Sequence, residues 1–132
     1  MPVASAPAGV LRNKSMEREK FEALVEEAVA GLPKKFKDLL ENVAVIVEDT
    51  PPRRRSSAAR STLLGLYHGV PLQHRGPYYG NVPPDVIFIF KQPIESICSS
   101  DEEVRERVRE VVRHEIGHYF GLSEKALRDL ED

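Results

Sequence analysis

Residues 99–121 constrain this chain more than any other stretch. Ser99 or Ser100 can cap a helix, and Asp101, Glu102 and Glu103 follow in what would be its first turn, where negative charge suits the positive end of the helix dipole. Val104, Val108, Val111 and Val112 then recur at the three- and four-residue steps of one helical face. Gly121 is a natural stop, so the spacing predicts a helix from about residue 101 to 120. A helix with such a stripe must be buried against something, which calls for a sheet or further helices.

The same helix carries His-Glu-Ile-Gly-His at residues 114–118. Four residues along a helix return to within ~40° of the same direction, so His114 and His118 project from one face. Two imidazoles so placed can share one Zn²⁺ at ~2.0–2.1 Å. A glutamate directly after the first ligand stays off the metal in this motif and reaches the metal's water as general base. Glu115 has that place. Gly117, inside the helix, costs ~1 kcal/mol against alanine and implies a close approach by another segment.

Two histidines leave a zinc site one protein ligand short. Glu124 could swing back to the metal after a turn at Gly121; Asp129, His68 and His74 are the other candidates. Tyr67, Tyr78, Tyr79, Tyr119 and His74 are candidates for stabilising an oxyanion.

The rest of the chain supplies the packing partners. Phe21, Leu24, Val25, Ala28, Val29 and Leu32 predict a helix over residues 16–30, ended by Gly31 and Pro33, with a further turn or two around Phe36, Leu39 and Leu40. The β-branched run at residues 43–47 reads as a strand. Pro51-Pro52 opens a loop that holds Arg53, Arg54, Arg55 and Arg60. Residues 63–72 (LLGLYHGVPL) read as a hairpin turning at His68-Gly69, residues 73–84 as an irregular loop, and residues 86–90 (VIFIF) as a strand that Pro93 closes. Ser123 can cap a last helix with Ala126, Leu127 and Leu130 inward. The expected fold is α+β, a small mixed or antiparallel sheet packed against the 101–120 helix and the N-terminal helices. Residues 1–15 are expected to form a flexible tail and residues 16–132 a single domain.

Composition narrows the function. A net charge of −2 argues against a nucleic-acid partner, although the arginine loop leaves a phosphate-binding protein with a zinc site as the alternative, alongside a metal-binding protein without catalysis. The single cysteine, Cys98, fits a reducing compartment and a packing role. No apolar run approaches the ~20 residues of a membrane span, and the expected location is cytoplasmic.

The stretch RHEIGHYFGLSEKALRDL, residues 113–130, resembles the small bacterial family of zinc metallopeptidases with a minimal zincin fold. The family's pattern, His-Glu-x-x-His-x-x-Gly-x-x-Asp/Glu, falls on His114, Glu115, His118, Gly121 and Glu124, and residues 63–72 and 82–95 also look like family segments. The resemblance implies a zincin-like α+β core, Zn²⁺ held by His114, His118 and Glu124, Glu115 as general base, and a peptide or protein substrate. Glu124 is one methylene longer than the aspartate often found at that place in the family.

Overall fold

The computed structural model describes residues 15–38, 40, 43–52, 63–69, 85–122 and 125. In chain order the elements are α1 (Arg18–Ala30), α2 (Lys34–Lys37), β1 (Val43–Glu48), β2 (Gly65–His68), β3 (Asp85–Phe90), α3 (Lys91–Ser96) and α4 (Asp101–Tyr119).

The strands form one mixed sheet in the order β1-β3-β2, with β1 parallel and β2 antiparallel to β3. Register assigns the faces. Side chains alternate along each strand, so Val43, Val45 and Val47 share a face with Asp85, Ile87 and Ile89, and with Gly65 and Tyr67 of β2. This face meets α4: Val47, Ile87 and Ile89 join Val104, Val108, Val111, Val112 and Ile116 in the core. Ile46, Leu66, His68 and Phe88 lie on the other face. The helical stripe thus marks the buried face of α4, whereas the strands carry apolar residues on both faces.

α1 lies along α4 and buries Phe21, Val25 and Ala28, as its stripe predicts. Its polar flank is stitched to α4 by Lys20 to Asp101 at 2.7 Å and Arg105 to Glu27 at 3.1 Å. These pairs are half-exposed, so the apolar stripe does most to fix the packing. The helix begins two residues later than its sequence pattern suggests. Met16 lies before the helix and is buried, and its backbone N–H donates to Glu95 Oε2 at 2.8 Å. Glu95 also accepts from Lys91 Nζ at 3.2 Å, so this buried carboxylate is paired.

One expectation needs correction. Pro93 does not close a strand; it sits in the first turn of α3, which follows β3 without a break. The first four N–H groups of a helix have no partner within it, so a proline there loses nothing. The partner of β2 is β3, and the second half of the hairpin read over residues 63–72 lies outside the described residues. The arginine loop, the segment around Tyr78 and Tyr79, and the helix after Ser123 lie outside them as well. Cys98 is buried in the core, as a packing residue should be. Among the described residues no helix is long and apolar enough to cross a membrane.

Candidate metal centre

α4 is fastened at both ends, and the motif occupies its last turns. At its start the Ser100 hydroxyl accepts from the Glu103 backbone N–H at 3.1 Å, while the Glu103 carboxylate accepts from the backbone N–H and hydroxyl of Ser99 at 2.6 and 3.0 Å. This is a reciprocal cap shifted by one residue. The Ser99 backbone hydrogen bond, then its hydroxyl, hold the Glu103 carboxyl below its usual value of 4.5. At the other end Gly121 adopts φ 78°. Its N–H donates to His118 O at 2.9 Å, and that of Leu122 to Gly117 O at 3.0 Å. These are the two bonds of a Schellman motif, which needs a residue in the left-handed region and so favours glycine. The second histidine therefore sits in a turn whose carbonyl is tied down, and the chain reverses immediately after it.

Within this frame the His114 and His118 rings lie 4.7 Å apart at 76°. One candidate donor atom from each of His114, Glu115 and His118 falls within 4.8 Å of the others. Two zinc-bound nitrogens at tetrahedral angles are about 3.3 Å apart, the same scale as this grouping. Imidazole nitrogens are donors zinc takes, and a carboxylate next to them is placed to reach a zinc-bound water. The residues fit a metal. Both histidines are half-buried, whereas Glu115 is 8% exposed.

Glu115 faces the sheet. Leu63, Leu64 and Gly65 on one side and Arg107, Glu110, Val111, His114 and Glu115 on the other line a groove of about 350 Å³ between α4 and the start of β2. Arg107 and Glu110 pair across one helical step at 3.1 Å and leave the groove without a dominant charge.

The other sequence-derived candidates divide clearly. His68 is exposed on the sheet face turned away from α4, so strand alternation takes it out of the ligand set. The Tyr67 hydroxyl donates to Asp85 Oδ2 at 2.6 Å, and its ring packs edge-on against Tyr119, which is fully buried. Both tyrosines thus knit β2, β3 and the end of α4 together. Glu124, Asp129, His74, Tyr78 and Tyr79 lie outside the described residues. Sequence reasoning passed over Gly65 and Asp85. A glycine inside a strand pattern signals a close approach of some kind, and that signal was present at Gly65.

The model of the family described as zincin-like metallopeptidase matches residues 40–132, more than half of the chain. Among solved structures, a conserved hypothetical protein from Thermus thermophilus is similar, with a TM-score of 0.55 and 22% identity, over 80% of this chain and 94% of that one. That likeness extends to the fold alone. No curated protein matches the chain. The family match spans the sheet, the groove and the whole of the motif helix, and with the paired imidazoles on that helix it places the chain in the zincin-like metallopeptidase family.

Proposed function

We propose that this chain is a zinc-dependent peptidase. His114 and His118 hold the metal, Glu124 completes the ligand set, and Glu115 is the general base. The observation that carries this reading is the grouping of His114, Glu115 and His118 donors within 4.8 Å beside a groove bounded by β2.

Zinc, when bound, supplies Lewis acidity to a water and to the scissile carbonyl. The chain's own residues do the rest. Glu115 is shielded from bulk water, which strengthens its hold on a nearby proton donor. It takes a proton from the attacking water and returns it to the departing amine. Among the described residues β2 is an outer strand of the sheet, so an extended peptide can add along its edge and lie along the groove. Gly121 supports the choice of Glu124 as third ligand, because its turn redirects the chain three residues before that carboxylate.

The test is metal analysis of the purified protein followed by a peptide-library digest with the parent and Glu115→Gln. The expected result is one zinc per chain in both proteins, and cleavage slowed by about 10²–10⁴-fold in the variant. Equal cleavage by the two proteins would remove Glu115 from the mechanism.

A further inference from the structure

We propose that Gly65 positions the Glu115 carboxylate; the inference rests on the reading of Glu115 as the general base. A Cβ built on Gly65 would lie 2.7 Å from Val111 Cγ1, 3.1 Å from the carbonyl oxygen of Phe88 and 3.3 Å from Glu115 Cγ. These distances are below ordinary van der Waals contact. Gly65 is not among the glycines with positive φ, so its backbone would accept any residue. Glycine weakens a strand by its freedom in the unfolded chain. What requires it here is the space between strand and helix.

The strand cannot step aside to make room. Gly65 is paired with Ile89, Leu66 with Phe88, and the Phe90 N–H donates to Leu64 O at 2.9 Å. The Phe88 carbonyl belongs to the central strand, which is held by β1 on its far side. A methyl group at position 65 must therefore be relieved on the α4 side. Val111 and Glu115 stand there one helical turn apart. The bare backbone of Gly65 sets how far the Glu115 stem leans toward the sheet, and so where its carboxylate stands relative to the two imidazoles.

Of the three close contacts, the two on α4 can be separated. In Gly65→Ala the Val111 contact is the tightest, and Val111→Ala removes it while leaving the contacts with Glu115 and the Phe88 carbonyl. Parent, Gly65→Ala, Val111→Ala and the double variant are compared as zinc-loaded proteins. Three quantities are measured: zinc affinity, kcat and KM on a peptide found in the screen, and the Kd for acetohydroxamate. This small chelator binds zinc and shares its proton with a neighbouring carboxylate, so its affinity senses Glu115 without turnover. Glu115→Gln sets the scale of that loss.

Zinc affinity is expected to stay within about twofold, because the imidazoles are not moved. In the double variant kcat falls about tenfold relative to Val111→Ala with little change in KM, and the acetohydroxamate Kd rises about fivefold. A packing role alone predicts that Val111→Ala restores both, and a double variant equal to Val111→Ala overturns the proposal. Should the parent cleave no peptide while the acetohydroxamate difference persists, the peptidase reading falls and the positioning role stands. Equal acetohydroxamate affinity in the double variant and Val111→Ala overturns the positioning role whatever the peptides show.

Discussion

The two outer strands of the sheet are treated in opposite ways. Along β1 the Arg18 guanidinium donates from Nη2 to the Val47 carbonyl, and α1 runs beside the strand. A cavity of about 670 Å³ remains there, and its lining mixes Val25, Val29 and Val45 with Arg18, Glu22 and Lys37. β2 has no such plug among its described contacts, and its neighbour across the groove is the helix that bears His114 and Glu115. Unpaired strand edges invite other chains and are usually blunted with charge. Here the charge is spent on the edge far from the motif.

This contrast can be broken from either side. The largest effect is expected at the metal. His118→Ala should weaken zinc binding by more than about 100-fold, beyond what changes to a ligand's supporting contacts produce; competition with a chromogenic chelator measures it. If zinc binding survives, the β2 side has no metal to serve. Acidification should also release the metal as the imidazoles take up protons, since only the neutral ring is a ligand. The released zinc can be followed with the same chelator.

On the β1 side, Arg18→Ala should lower stability by about 1 kcal/mol. The guanidinium is 46% exposed, so much of its charge is already screened. The variant should also self-associate at high concentration while its zinc affinity stays that of the parent. Thermal unfolding and light scattering read the two effects. A variant that remains monomeric would mean that α1, rather than Arg18, closes that edge.

The smallest effect tests the far end of the motif helix. The Glu103 carboxyl is held below 4.5 by Ser99. The folded protein therefore binds that proton more weakly than the unfolded chain does. The stability it contributes is present above 4.5 and is lost as the pH falls through the lowered value. Glu103→Gln should unfold at a slightly lower temperature than the parent at neutral pH, and the difference should vanish on acidification.

Much of this arrangement is legible in the sequence because it depends on local rules. The stripe Val104, Val108, Val111, Val112 announces a one-faced helix, and the same four-residue step aligns His114 with His118. Gly121 announces the turn that follows. What escapes is non-local. No local pattern says that β1 should run parallel to β3 with β2 on the far side, since that order depends on connections across the chain. Hence His68 looks available as a ligand until the register assigns it to the wrong face. α3 escapes for another reason: Pro93 is a breaker by composition and harmless by position. Glu124 lies outside the described residues with Asp129 and His74, and its choice as ligand rests on the motif pattern and the turn at Gly121.

The glycine on β2 has a further consequence, for folding rather than chemistry. A slip of one residue along β3 would turn every side chain of β2 to the opposite face. Leu66 would then point at α4, where the present fit leaves no room even for a methyl group. Wrong pairings are thus rejected by bulk before any catalytic geometry exists, and the strand can dock only at the offset that brings its bare backbone to Glu115.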